Sequence, residues 1–288
     1  MGLGPAAVKL NLELWQRGFF RGIHRVVEMG SQELCLTRMD FEELVQAAGA
    51  GNYKRESFPC LENFPKRPLC SARPFYEMLG VEKYSCIDLN GEHGAIKHDL
   101  NFPLKDPSLT GVFDLVTDHG CNEHAFNIAE TYRTMHLLCK KDGLMVIMQS
   151  VYRGNGYYNF DLSFFEGLAA ANQYKILFAS YVIAPAGSNE QYHIPGSREL
   201  LNVLDWSKAN IYICYVFQKQ MDADFHYPYQ GRYLSAIQGH DGYRLQFLPD
   251  PPSRSYVPIS RRATLETFRA KHLVQELARR AFTKFKLH

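Results

Sequence analysis

Short apolar runs rich in β-branched and aromatic residues alternate along this chain with stretches of helical periodicity, and that alternation restricts the fold more than any other feature. The runs are HRVVEMG, KYSCIDLN, GAIKHDL, VFDLVTD and LMVIMQSV. Strands separated by helices pair in parallel, because the helical crossover carries the chain back to the same sheet edge. Two later runs, YKILFASYVIA and NIYICYVFQKQ, are long, aromatic and adjacent, and they predict an antiparallel pair at one end of the sheet. At 288 residues and 46% hydrophobic, the chain can build one large α/β domain or two smaller ones.

The stretch NEHAFNIAETYRTMHLLCKKDG predicts a helix capped at Asn122, with Phe126, Ala129 and Met135 at helical spacing and a stop at Gly143. DLSFFEGLAAANQY predicts another, opened by a Ser163–Glu166 capping box and burying Phe164, Phe165, Leu168 and Ala169. FEELVQAAGA and ARPFYEMLG predict two more, the second closed by Gly80. Residues 50–72 are rich in Pro and aromatics and suit neither helix nor strand. A loop of that length is either a lid over a binding site or a surface insertion without a role. From about residue 221 to 288, Tyr, Pro and Gly crowd the chain, which then ends in a basic amphipathic helix. That pattern predicts a domain over 1–220 and an extension over 221–288 packed on it, with Leu265, Phe268, Leu273 and Phe282 on the buried helix face.

Formal net charge is only +2, which excludes the strong field of a nucleic-acid or anionic-membrane partner. The seven cysteines show no CxxC pair and several sit inside apolar runs, as expected of small buried hydrophobes in a reducing compartment. With no apolar run of spanning length and no charged-then-apolar leader, a cytoplasmic location is the expectation. A homodimer is compatible with all of this.

The acids fall in a pattern. Glu28 closes the first strand, Asp88 the second and Asp99 the third, and Asp118 with His119 follows the fourth. In an open parallel sheet the carboxyl ends of the strands form the binding crevice, so four strands aim polar groups at one edge. Asp88, with Leu89 beside it, can accept the hydroxyls of a ribose. Asp99 can accept from an exocyclic amine while Leu100 packs on the ring. Glu28 can shape the loop or, like Asp118, offset a cationic ligand. Each acid taken alone is equally well an Asx turn or a helix cap.

VVEMGSQ, CIDLNG, KHDLNFPL, FDLVTDHGCNEH and CKKDGLMVIMQS together resemble the class I S-adenosylmethionine-dependent methyltransferases, over roughly residues 20 to 220. The resemblance implies a Rossmann-like, doubly wound α/β fold with a seven-stranded sheet, mostly parallel with an antiparallel last strand. It implies S-adenosylmethionine as cofactor, with Glu28, Gly30, Ser31, Gln32, Asp88, Leu89, Asp99, Leu100, Asp118 and His119 around it. GYYNFDLSFFEGLAAANQY is similar to segments of methyltransferases from bacterial polysaccharide and natural-product pathways. One departure stands out: Ser31, Gln32 and Glu33 replace the second and third glycines of the family loop.

Methyl transfer is an in-line displacement that chiefly needs alignment, with a base where the nucleophile must lose a proton. The cluster DHGCNEH offers His119 first and His124 second for that work, with Asp118 beside them and Glu123 to orient His124. A metal held by His119, His124 and Asp118 matches no common zinc spacing, so none is expected. Tyr157, Tyr158, Tyr192 and His193 are candidate contacts for a small-molecule acceptor, with Gln230 and Tyr233 as a further wall. A dinucleotide dehydrogenase is excluded by the loop, since a pyrophosphate needs close backbone approach and a bare helix N-terminus. A methyltransferase-fold protein that binds without turnover is the alternative.

Overall fold

The structure is a computed structural model that describes residues 2–196 and 205–229. The strands are β1 (Arg25–Met29), β2 (Lys83–Asp88), β3 (Ile96–Lys97), β4 (Phe113–His119), β5 (Cys139–Tyr152), β6 (Tyr174–Pro185), β7 (Tyr192–Pro195) and β8 (Ala209–Lys219). They form one sheet in the order β3-β2-β1-β4-β5-β8-β6-β7. β1 to β5 run parallel, while β8 is antiparallel to both β5 and β6. The sheet therefore has eight strands where seven are expected, because β7 turns back on β6 as an edge hairpin. β3 shrinks to two residues.

The central strand β4 is buried along its whole length, FDLVTDH, as a parallel strand covered on both faces must be. Alternation sorts its side chains. Val26, Leu115, Val146 and Val216 face one layer, built with helices α1 (Pro5–Gln16), α2 (Arg38–Ala48) and α3 (Arg73–Met78). Val27, Met29, Val116, Ile147 and Phe217 face the other, built with α4 (Ile128–Leu138) and α5 (Leu162–Asn172).

Two helix boundaries differ from expectation. Asn122–His124 is only a short 3-10 turn, and α4 starts at Ile128. Asn122 does not cap it: its buried side-chain amide is turned to the helix body, where Nδ2 donates to Met135 Sδ at 3.2 Å. The helix stops at Leu138 rather than at Gly143. Its last carbonyls are taken by the lysine that ends β8, the strand paired with β5: buried Lys219 Nζ donates to His136 O at 2.8 Å and Cys139 O at 2.9 Å. α5 is opened by Asp161, which accepts from Ser163 N at 2.9 Å, and not by a Ser163–Glu166 box. α1, unassigned from the sequence, carries Pro in its first turn and buries Ala6, Ala7, Leu10 and Leu14.

Residues 220–229 run back over α4 and α5. His226 N donates to Asn172 Oδ1 at 2.8 Å, and His136 Nε2 meets Ala223 O at 2.7 Å. A carbonyl only accepts, so Nε2 carries the hydrogen and Nδ1 accepts from the Tyr174 hydroxyl at 2.7 Å. Burial pushes the His136 pKa down to about 4, against a weaker pull from the Ala223 carbonyl. The unfolded imidazole titrates near 6.5, so the stabilisation is complete above about pH 6.5 and is lost as pH falls toward 4. Proteolytic cleavage within 220–229 should accelerate over that window, and His136→Phe should abolish the acceleration. A wild-type cleavage rate that does not change with pH would contradict this. Gln230, Tyr233 and the basic C-terminal helix lie outside the described residues.

Candidate cofactor crevice

Strand order reverses between β1 and β4, the switch point at which an open α/β sheet leaves a crevice beyond its carboxyl ends. The chain leaves β1 through Gly30, whose φ is +80°. A Cβ there would lie 2.9 Å from Cys121 Sγ and 3.1 Å from Cys121 Cβ. The turn is thus glycine for two reasons, backbone handedness and the β4 loop packed against it.

Beyond Gly30 there is no glycine-rich turn into a helix. Leu3 N donates to Glu33 O (2.8 Å) and Cys35 N to Leu3 O (2.9 Å) on one side of the loop. On the other, Leu34 N donates to Cys70 O (2.7 Å) and Ala72 N to Gln32 O (3.1 Å). Residues 32–35 therefore run extended between the N-terminal segment and the end of the 50–72 insertion, and α2 begins only at Arg38. Buried Gln32 turns inward and donates Nε2 to Met29 O at 2.7 Å. Glu33 receives Arg67 of the insertion through both oxygens at 3.2 Å, and His93 Nε2 at 3.5 Å. Sequence reasoning missed Glu33, Arg67 and His93. SQELCL gives no periodic signal for the ladder, since Ser31–Glu33 are all polar and Leu34–Leu36 all apolar.

Asp88 at the tip of β2 binds this loop: its Oδ2 accepts from Ser31 N at 2.9 Å and Ser31 Oγ at 2.8 Å. Partial burial pushes its carboxyl up, but the hydrogen bonds from Ser31, Asn90 and Leu89 outweigh it and hold the group below the ordinary aspartate value. Oδ1 accepts from Asn90 N at 3.2 Å, a long bond that leaves a carboxylate oxygen further accepting capacity. Leu89 beside it is exposed. Asp99, two residues past β3, accepts from Asn101 N and Nδ2 at 2.9 Å each, with Leu100 buried next to it. The Asn101 N–H and side-chain amide hold Asp99 below its ordinary value too.

Two of the four acids do not face the crevice. Glu28 lies inside β1 on the α1–α3 side, accepting from Tyr84 OH at 2.5 Å and Thr117 Oγ1 at 3.3 Å. Full burial raises it to about 7, with those hydroxyls pulling the other way. The unfolded glutamate titrates near 4.3, so the folded state retains a proton that the unfolded chain loses, and stability falls as pH rises from about 4 to 7. Over that range the wild type should lose on the order of 2 kcal/mol more than the isosteric Glu28→Gln. Parallel urea-denaturation curves for the two proteins across that range would contradict it. Asp118 is likewise buried: Oδ1 accepts from Cys121 N at 2.9 Å and Asn122 N at 3.2 Å, and Oδ2 from Gln149 Nε2. Burial pushes it up to about 7 against these bonds. Its oxygens shape the β4 loop and bind β5 instead of facing the crevice mouth.

His119 is buried on the same face as Thr117 by strand alternation, and neither ring nitrogen has a hydrogen-bond partner among the described residues. Burial depresses it to about 3, so it is a neutral imidazole and a poor base. His124 instead stands half-exposed at the mouth, its Nε2 3.7 Å from Glu123 Oε1. Glu123 is buried, and Ser150 holds it by N–H to Oε2 (2.9 Å) and by Oγ to Oε1 (3.1 Å). Burial raises its pKa and the Ser150 bonds oppose the shift.

The loop after β5 reaches this spot. Tyr157 N donates to Glu123 O at 2.8 Å, and its exposed ring meets Phe126 edge-on at 5.8 Å. Tyr158 OH donates to Phe126 O at 2.6 Å. Tyr192 and His193, by contrast, sit on β7 at the opposite edge of the sheet, not in a loop near the crevice. His193 is buried between Ser180 Oγ (2.8 Å) and Ala6 O (2.9 Å), a packing role under α1.

A cavity of about 540 Å³ opens between α2 and the insertion, lined by Arg38, Glu42, Arg55 and Leu61. Another of about 410 Å³ lies beside His136 and Lys219. Neither is at the switch point. Among the described residues no group of three or more His, Cys, Asp or Glu could hold a metal ion, and no helix is long and apolar enough to cross a membrane.

No family model matches this chain, and no curated protein matches it in sequence. Among solved structures it is similar to a SAM-dependent methyltransferase from Archaeoglobus fulgidus, at 13% identity over 75% of this chain and 95% of that one, with a TM-score of 0.41. It is also similar to the Burkholderia thailandensis 1,6-didemethyltoxoflavin-N1-methyltransferase with bound 1,6-didemethyltoxoflavin and S-adenosylhomocysteine. There the identity is 12% over 75% of this chain and 79% of that one, with a TM-score of 0.39. At such identities and scores these likenesses carry no functional argument, and the chemistry has to be read from the crevice itself.

Proposed function

We propose that this protein is an S-adenosylmethionine-dependent methyltransferase acting on an O or N nucleophile of a small molecule. The observation that carries the reading is Asp88. It is a carboxylate held anionic at the tip of β2, beside the switch point, with one oxygen still able to accept. Such a group suits the vicinal hydroxyls of a ribose, and Asp99 with Leu100 suits an adenine edge.

The β1 loop supports a nucleoside without a pyrophosphate. The space a Cβ would take at Gly30 is filled by Cys121, the following backbone is laddered on both sides, and the α2 N-terminus stands off at Arg38. A pyrophosphate needs free backbone N–H groups at a helix start, and none is offered here. A bound sulfonium would supply an electrophilic methyl, whose C–S pair passes to sulfur as the acceptor's lone pair bonds to carbon. The unpartnered nitrogens of His119 and the buried, unpartnered Gln32 Oε1 are polar groups near this end of the sheet that bound water or ligand would satisfy.

The acceptor we infer is a small metabolite, sugar-like or amino-acid-like, of polysaccharide or natural-product biosynthesis. The exposed Phe126 and Tyr157 at the mouth and the weak net charge support that choice over nucleic acid or membrane. Calorimetry with S-adenosylhomocysteine, S-adenosylmethionine and NAD tests the proposal. Both adenosyl ligands should bind and NAD should not; binding of NAD alone would overturn it. Methyl incorporation across a metabolite panel then separates an enzyme from a protein that only binds.

A further inference from the structure

We infer that His124 takes the proton from the methyl acceptor, and that Glu123 and Ser150 are the positioning residues that fit it for this. The inference rests on the methyl-transfer reading and gives that site its base. Glu123 is buried with both carboxylate oxygens held by one residue of β5, Ser150. It cannot swing away. A Cβ on Gly156 would lie 2.6 Å from the Glu123 carbonyl oxygen and 2.8 Å from its Cγ, and Tyr157 N donates to that carbonyl at 2.8 Å.

The fixed Oε1 stands 3.7 Å from Nε2 of His124, whose ring has no other polar partner among the described residues. That distance is just beyond a hydrogen bond, and a small rotation of the exposed imidazole closes it into one. A carboxylate on the Nε2 side keeps the hydrogen there and leaves Nδ1 with its bare lone pair. A buried acid that orients an imidazole in this way also stabilises the imidazolium it becomes. Among the described residues neither nitrogen of His119 has a hydrogen-bond partner. In the step itself the acceptor O–H or N–H bond breaks, its electron pair stays on the heteroatom, and the proton bonds to Nδ1 of His124. The positive charge so formed faces Glu123.

Nitrogen-15 NMR of the intact protein, labelled at the histidine rings, reads the tautomer directly at an alkaline pH where the imidazole is neutral. The His124 signals are identified by their loss in His124→Gln. The wild type should show hydrogen on Nε2. Glu123→Gln should invert this: the Ser150 N–H can only donate, so it captures the amide oxygen and turns the NH2 group toward Nε2. Ser150→Ala should give a mixture. An unchanged tautomer in Glu123→Gln overturns the dyad, and one in Ser150→Ala overturns the role of the Ser150 hydroxyl. S-adenosylhomocysteine affinity, measured on the same variants, should be unchanged and shows that they are folded. If the wild type binds no adenosyl ligand, the methyl-transfer reading fails while the tautomer result stands. With an acceptor from the metabolite panel, His124→Gln should lower kcat by about 10²–10⁴-fold and leave KM nearly unmoved.

Discussion

Gly30→Ala should lower the melting temperature by about 4–20 °C and weaken adenosyl-ligand binding together. The backbone at Gly30 has φ +80°, which costs an L-residue about 1–2 kcal/mol. The new methyl would also stand 2.9 Å from Cys121 Sγ and 3.0 Å from Gln32 Nε2, both held in a packed loop. Overpacking of this kind costs about 1–3 kcal/mol more, and in a chain of this size each kcal/mol shifts Tm by about 2–4 °C. The two contributions separate experimentally. Cys121→Ala in the Gly30→Ala background removes the sulfur but not the backbone strain, so it should recover part of the loss. A Gly30→Ala protein that melts at the wild-type temperature would mean that the loop has another conformation. Ligand affinity should fall with stability because the displaced β1 loop carries Ser31, which holds Asp88 in place.

Most of the sheet is legible in the sequence, because strands buried on both faces read as continuous apolar runs. VVEM, SCID, DLVT and LMVIMQ all fall inside strands, and the aromatic pair β6 and β8 is antiparallel as its length and composition suggest. β7 escapes that logic, being a short and polar edge strand. The start of α4 escapes it as well. Asn122 has the chemistry of a cap, yet its side chain is buried and turned to Met135, thirteen residues on.

The acids show where sequence reading stops. Glu28 and Asp118 end apolar runs just as Asp88 does, but a strand alternates its side chains, so proximity to a strand end does not reveal which face an acid occupies. Glu28 turned out to face Tyr84 and Thr117, from strands on either side of β1. Asp118 turned to Gln149 on β5 and to its own loop. The same holds for the mouth. Glu123 and His124 are neighbours in sequence and easily noticed, whereas Ser150, which fixes Glu123, comes 27 residues later as one polar residue in a buried strand. Pairings across that separation leave no periodic trace.

Asp88→Ala should cost adenosyl-ligand affinity about a hundredfold while leaving the fold largely intact. A ribose would place hydroxyls on a charged acceptor, and hydrogen bonds to charged groups contribute about 1.5–3 kcal/mol each, of which about 3 kcal/mol in all should survive the competition with Ser31. The stability loss should be smaller, about 1 kcal/mol, since Asp88 is only half-buried and its hydrogen bonds to Ser31 and Asn90 can be replaced by water. Asp88→Asn should fall between the two proteins, because its amide keeps one acceptor but turns donors toward the ribose. Asp99→Asn should cost less than Asp88→Ala, because asparagine keeps a side-chain oxygen that can accept from an exocyclic amine and alanine keeps none. The pH dependence has a fixed sign. Asp88 is held below its ordinary value, so the folded carboxylate persists at pH values where an unfolded aspartate is already protonated, and binding should weaken only below the usual aspartate range. Calorimetry of the three variants with S-adenosylhomocysteine settles the ranking. An Asp88→Ala protein with wild-type affinity would remove the ribose from β2, and with it the observation on which the methyltransferase reading stands.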